Sequence, residues 1–382
     1  MGGGLTECTS LVNFRIIKFE SLIMPDAFAI LFDSNNGNVY NPGSWISGRV
    51  VLSLSKPQKT RGLRLKFQGY EHTLWTTTSH TGSGQNRRTH RKTHTETITI
   101  FDHIVVLFGY PPGQSISDNS LPELPPGNSV FPFRIQIPTS FLPPSVELPH
   151  GHVRYEISAY IDIVRWFDTC SPKYPIRIIP SLIVNTPNLL PPLSFNQDKV
   201  MGCFSNQGII NCFSSIHKQG YLPGETIFIS SQVTNNSKKT ISAINASLRS
   251  TIIYRAHHST KDSSNTILFT VIEELILPQS PLKELQHQII IPNNVLLSNN
   301  GRLISVSYVV NIMFRTKDCC GGNIEINLPI VIGNTVLSNQ QPQPIVSTQN
   351  PPFQYNLEQP EHPGQLDVDL PPYTEIRGTE SY

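Results

Sequence analysis

The residues with the clearest chemical purpose lie near the end of the 382-residue chain, in Asp369-Leu370-Pro371-Pro372-Tyr373-Thr374-Glu375. Leu370, Pro371, Pro372 and Tyr373 spell Leu-Pro-x-Tyr, a variant of the Pro-Pro-x-Tyr ligand. Pro371 and Pro372 pre-form a polyproline II turn, which lowers the ordering entropy lost on binding. Ligands of this kind dock in the aromatic-lined grooves of WW domains, with Tyr373 as the buried anchor. Asp367, Asp369 and Glu375 add acidic flanks that steer a basic partner. Pro351-Pro352-Phe353-Gln354-Tyr355 has one residue too many between proline and tyrosine and is not counted as a second copy.

A second chemical feature is the run His80 to His94, HTGSGQNRRTHRKTH. It has no apolar residue and reads as a long loop within a hairpin. Arg87, Arg88, Arg91 and Lys92 place four cations within six positions. Next to an anionic membrane surface each is worth on the order of 1 kcal/mol. His80, His90 and His94 do not read as a metal site, because the neighbouring cations repel a metal ion.

No residues read as catalytic. The chain has no G-x-S-x-G elbow, no Walker loop, no H-E-x-x-H and no G-x-G-x-x-G after a strand. Cys203 and Cys212 are not at a zinc spacing, and the scattered Cys8, Cys170, Cys319 and Cys320 do not supply a second pair. No cofactor is expected. The six cysteines read as thiols in a reducing compartment. The start lacks the basic and apolar regions of a secretory signal. Met1-Gly2-Gly3-Gly4-Leu5-Thr6 fits the N-myristoylation pattern at Gly2. Cys8 is placed for a second acyl chain, and one chain alone anchors only marginally. The sequons at Asn235 and Asn245 read as chance matches.

The elements that must carry these features are strands. Apolar and polar residues alternate in Arg49 to Ser55, Leu63 to Gln68, Phe131 to Ile137, Val153 to Ile163, Ile227 to Val233 and Ile304 to Ile312. No segment shows a long helical face, and Pro (32) outnumbers Gly (24), which disfavours long helices. Short strands punctuated by Pro, Gly and Asn predict antiparallel sandwiches. The pattern also repeats. Tyr40-Asn41-Pro42-Gly43 matches Tyr221-Leu222-Pro223-Gly224. Arg134-Ile135-Gln136-Ile137-Pro138 matches Gln288-Ile289-Ile290-Ile291-Pro292. A glycine-containing loop (Gly151, Gly301) and a long alternating strand follow each. The expected division is an extension over 1–24, a first domain over 25–183, a linker over 184–197, a second domain over 198–335 and a disordered Pro-rich tail over 336–382. The net charge is +2, without the basic stripe of a nucleic-acid binder. No run of about 18 apolar residues is present to span a bilayer.

Taken together, the segments resemble the α-arrestins, the arrestin domain-containing proteins, over roughly residues 27 to 335 plus the tail motif. The resemblance rests on Val39-Tyr40-Asn41-Pro42-Gly43 leading into Ser47-Gly48-Arg49-Val50, on Gly62-Leu63-Arg64-Leu65 with Gln68-Gly69-Tyr70, and on Gly151-His152-Val153-Arg154-Tyr155. It continues in Val184-Asn185-Thr186-Pro187-Asn188, in Lys218-Gln219-Gly220-Tyr221-Leu222-Pro223-Gly224-Glu225 and in Leu328-Pro329-Ile330-Val331-Ile332-Gly333. It implies an all-β fold of two tandem immunoglobulin-like arrestin sandwiches without enzymatic activity. It also implies a cytoplasmic adaptor, recruited to plasma membrane and endosomes, between membrane receptors or transporters and WW-domain HECT-type ubiquitin ligases. The tail departs from the family pattern in having Leu370 for the first proline and a single copy. The phosphate-sensing polar core of visual and β-arrestins does not map onto this sequence. Two other readings stay open: a retromer-like sorting scaffold that works without the tail, and an extracellular adhesion sandwich.

Overall fold

A computed structural model describes residues 25–337 apart from 35–36, 83–86, 115–116, 118–119, 164–167, 203–207, 273 and 317–321. Gly2, Cys8 and the Leu370–Tyr373 motif lie outside the described residues. Within them the chain is all-β and forms two sandwich lobes. The expected alternation decides which face of each strand is buried. In β3 (Trp45–Leu54), Ile46, Val50, Leu52 and Leu54 are buried, while Trp45 and Arg49 are exposed.

In the first lobe β1 (Ala27–Phe32) and β8 (Gly127–Gln136) flank β3 in one sheet. The facing sheet runs β2 (Val39–Tyr40), β12 (Tyr174–Ile178), β10 (Gly151–Asp162), β5 (Gly62–Thr81) and β6 (Arg88–Gly109). The short β9 (Val146–Leu148) and β11 (Thr169–Cys170) also pair with β10, and β4 (Gln58–Lys59) pairs with β7 (Glu123–Leu124). In the second lobe β13 (Leu193–Val200), β14 (Gly208–Ile216), β16 (Thr226–Ser237) and β19 (Ser280–Ile290) form one sheet. The other runs β15 (Gly220–Tyr221), β22 (Ile324–Ile332), β21 (Ile304–Thr316), β17 (Ile241–Ala256) and β18 (Ser259–Ile272), with β20 (Asn299–Asn300) on β21.

The duplication read from the turns extends to individual hydrogen bonds. β2 pairs in parallel with β12, and β15 pairs in parallel with β22. Each is followed by a Pro-Gly turn in which glycine takes φ of 81° (Gly43) or 85° (Gly224), a region that favours glycine. Gly43 N donates to Ile137 O (3.1 Å) and Gly224 N to Ile291 O (2.9 Å). Tyr155 and Tyr308 stand at matching places in β10 and β21, and their hydroxyls donate to Pro143 O and Leu296 O at 2.7 Å. Burial pushes both phenols up, Tyr308 to about 12, so they stay protonated donors. Ser145 and Ser298 repeat a further contact, each Oγ accepting from the end of the lobe's last strand at 2.9 Å.

The stretch 184–197, read as linker, ends in β13, which begins at Leu193. Its first part is tied to the end of the second lobe: Val184 N donates to Thr335 O (3.0 Å), and Asn185 exchanges two hydrogen bonds of 2.8 Å with the Leu337 backbone. Cys212 is a buried free thiol. Cys170 is disulfide-bonded, so the expectation of reduced thiols throughout does not hold there.

Candidate functional site

The β5–β6 hairpin is the longest element pair and has three zones: a pinned base, a middle packed on the second lobe, and a free tip. At the base Arg64, buried on β5, bonds Asp162 at the end of β10 through Nη1 and donates to Tyr110 O through Nη2 (3.3 Å). Arg61 adds a second contact to Asp162 (3.5 Å). The side chains that alternate inward along β5 (Leu65, Phe67, Glu71, Thr73, Trp75) are all buried, and the run ends where Trp75 stacks on His94 at 5.2 Å.

Beyond Trp75 the hairpin leaves the packed interior. Pairing nevertheless continues without a break from Trp75↔His94 to Thr81↔Arg88. The run His80 to His94 is therefore not a long loop, as its composition led one to expect. Its described residues are strand up to Thr81 and again from Arg88, with Arg88, Arg91 and Lys92 on β6 and Arg87 just before it. The physical reason is cross-strand polar pairing. His80 Nδ1 meets Thr89 Oγ1 (3.1 Å), His90 Nε2 meets Thr81 Oγ1 (3.1 Å), and His94 Nε2 meets Thr77 Oγ1 (3.0 Å). Threonine suits an extended backbone, and a strand exposed on both faces shows no apolar alternation. Arg88 and Lys92 point to one face and Arg91 to the other, so positive charge surrounds the tip. All four cations are exposed. The histidines are engaged with threonines, and among the described residues no group of three or more His, Cys, Asp or Glu is placed to hold a metal ion.

The middle zone joins the lobes. Glu71 is 2% exposed, and its carboxylate accepts three backbone N–H groups from the start of β21 and the turn before it: Arg302 (3.0 Å), Leu303 (2.7 Å) and Ile304 (3.0 Å). Charged acceptors make stronger hydrogen bonds than neutral ones. The preceding Gly301 has no room for a side chain, since a Cβ there would lie 2.9 Å from Glu71 Oε2 and 2.5 Å from Ile304 O. Thr73 Oγ1 donates to Arg255 O (2.6 Å), and Glu96 on β6 accepts from the backbone N–H of His257. His257 and His258 form the turn between β17 and β18, with His257 at a φ of 51°. The His150 ring meets Tyr254 edge-on at 5.4 Å. A cleft of about 280 Å³ opens beside this seam between Pro144, Val146 and Ile179 of the first lobe and Val295, Leu296 and Val306 of the second. Glu71 departs from the apolar residue its inward position on β5 predicts, but nothing in the local sequence gives the reason, because its partners are backbone groups more than two hundred residues away.

The two sequons are inside the fold. Asn235 is fully buried, and its amide donates to Lys239 O (2.8 Å) and Leu277 O (2.9 Å). Asn245 is 2% exposed and, in the amide orientation that satisfies its neighbours, accepts from Arg315 Nε at 2.6 Å. Neither side chain has room for a glycan. Among the described residues no helix is long and apolar enough to cross a membrane.

Comparison with known proteins places this architecture. Residues 28–185 match the arrestin (or S-antigen) N-terminal domain, and residues 206–337 match the arrestin C-terminal domain. The chain is 28% identical over 242 residues to human arrestin domain-containing protein 4, covering 62% of this chain and 54% of that protein. It is 27% identical over 327 residues to Caenorhabditis elegans arrestin domain-containing protein 17, covering 82% and 71%. Human thioredoxin-interacting protein is 23% identical over 233 residues, covering 60% and 54%. The chain thus spans about half the length of the human relatives it matches.

Proposed function

This chain belongs to the arrestin family, as a member of the α-arrestin type, and from that premise we propose that it is a trafficking adaptor rather than an enzyme. Its lobes engage the cytoplasmic parts of membrane receptors or transporters. Its tail recruits a WW-domain HECT-type ubiquitin ligase, so that cargo is ubiquitinated, internalised and sorted in endosomes. The protein works by tethering, and no residue is assigned a catalytic role. It is cytoplasmic and moves to the plasma membrane and endosomes with its cargo.

The observation that carries this reading is Leu370-Pro371-Pro372-Tyr373 downstream of the two arrestin domains. Consecutive prolines favour the extended polyproline II conformation that such grooves accept, and Tyr373 is the side chain suited to fill the aromatic groove of the partner. Arg87, Arg88, Arg91 and Lys92 give the β5–β6 tip a peripheral contact with anionic lipid, and acylation of Gly2 and Cys8 would supply the stronger anchor. The burial of Asn235 and Asn245 weighs against a glycosylated extracellular sandwich. The test is a titration of the full chain with an isolated WW domain from a HECT-type ligase. Saturable binding that Tyr373→Ala abolishes supports the ligase link. A flat titration sinks it and leaves the tail-independent sorting scaffold as the better account.

A further inference from the structure

The tip of the β5–β6 hairpin carries two hydroxyls in the same unusual setting. Thr89 follows Arg87 and Arg88, and Thr93 follows Arg91 and Lys92. All six residues are exposed. From Arg88 onward the segment is extended strand, and β6 is the last strand of its sheet, so beyond the seam its outer edge carries no partner strand among the described residues. Thr89 Oγ1 meets the exposed His80 ring (3.1 Å) and, among the described residues, no other hydrogen-bond partner. Between Glu71 and Glu96 the sequence has no carboxylate, so the basic residues are free of competing acidic neighbours in sequence. An extended, exposed hydroxyl preceded by two cations is what a protein kinase with an acidic substrate groove selects, because the cations fix the register and the hydroxyl reaches the nucleotide.

We propose that Thr89 and Thr93 are phosphoacceptors for an arginine-directed protein kinase, and that modification of both switches off the cationic tip. The threonine Oγ attacks the γ-phosphorus of Mg·ATP and the Oγ–P bond forms. The bond from that phosphorus to the bridging oxygen breaks, ADP leaves with the electron pair, and the hydroxyl proton passes to the kinase's catalytic carboxylate. The charge arithmetic explains why there are two sites. Arg87, Arg88, Arg91 and Lys92 carry four positive charges, and each phosphate adds about −1.5 to −2 at neutral pH. One phosphate leaves the tip cationic, and two neutralise it. Thr89, Arg91 and Thr93 alternate onto one face, so the phosphates also engage the arginine between them. The switch rests on the membrane contact proposed above, whereas the assignment of the acceptor sites does not.

The test treats the full chain with the catalytic subunit of cyclic-AMP-dependent protein kinase and Mg·ATP. Sites are mapped by mass spectrometry, and binding to phosphatidylcholine vesicles is then measured with and without phosphatidylserine. Phosphate is expected on Thr89 and Thr93 and not on Thr76 or Thr78 of β5, which no basic residue precedes. Arg87→Gln with Arg88→Gln should remove the phosphate from Thr89 and leave it on Thr93. Each basic residue near an anionic leaflet is worth roughly a fivefold factor in affinity. Neutralising all four should therefore weaken binding of the doubly modified chain to phosphatidylserine vesicles by roughly several hundredfold. Absence of phosphate from both threonines overturns the assignment. Double modification with unchanged vesicle binding overturns the switch. If the unmodified chain ignores phosphatidylserine, the membrane contact and the switch both fail, and the mapped sites alone decide the acceptor assignment.

Discussion

Replacing Glu71 with alanine should loosen the joint between the lobes at a defined place. The carboxylate is the shared acceptor for the N–H groups of Arg302, Leu303 and Ile304. Truncation leaves three donors without that acceptor at a site Glu71 itself shields from water. Each unsatisfied buried donor costs about 1–3 kcal/mol. Taking the low end for all three gives a loss of about 3 kcal/mol, because water that enters the gap recovers part of the cost. If local opening governs exchange, 3 kcal/mol corresponds to about a hundredfold faster amide exchange. Hydrogen–deuterium exchange on a peptide spanning Asn299 to Val306 measures this directly. Glu71→Gln makes the sharper variant. Its one oxygen can keep the two bonds at the Oε2 position, to Leu303 and Ile304, while its NH₂ opposes the N–H of Arg302. Exchange at Arg302 should then rise more than at the other two. The reasoning is refuted if Glu71→Ala leaves exchange across this peptide unchanged while the protein remains folded.

Other outcomes follow from the same geometry. Gly301→Ala should be destabilising and should raise exchange in the same peptide, because a Cβ there would meet both the Glu71 carboxylate and Ile304 O; urea unfolding reads the loss. His287 is buried on β19 with Nε2 unpartnered, and burial holds its pKa below the ordinary 6.5. A depressed histidine pKa means that the unfolded chain binds the proton better. Stability is then full above about pH 6.5 and falls as the pH drops below it. Thermal unfolding across that window should show the decline, and His287→Leu should reduce its slope. Cys212 has its thiol pushed up to about 12 by burial, so alkylation by iodoacetamide should be negligible in the native chain and complete after denaturation.

What was readable in advance and what was not divides by the range of the interactions. The Pro42-Gly43 and Pro223-Gly224 turns depend on local backbone chemistry, so they announced the duplication from the sequence, and the hydrogen bonds to Ile137 and Ile291 agree with it. Strands such as β3 and β10 bury one face, and burial leaves a period of two in the residue types. The outer half of the β5–β6 hairpin buries neither face. It carries threonine and histidine on both sides, a pattern that composition alone cannot separate from a loop. Glu71 presents the opposite case. Its position in the inward series of β5 predicts an apolar residue, and the departure was a visible signal, but its meaning depends on a turn in the other lobe. The burial of Asn235 was equally hidden, since the amide's partners lie in two separate loops.

The central claim is that the lobes hold cargo while the tail holds the ligase. It is tested most directly by proximity labelling in cells with the full chain fused to a biotin ligase, comparing the native protein with Tyr373→Ala. The account predicts that the variant loses labelling of WW-domain HECT-type ligases and keeps labelling of membrane receptors or transporters. Ligase labelling that survives the substitution, or the loss of both sets together, would contradict it.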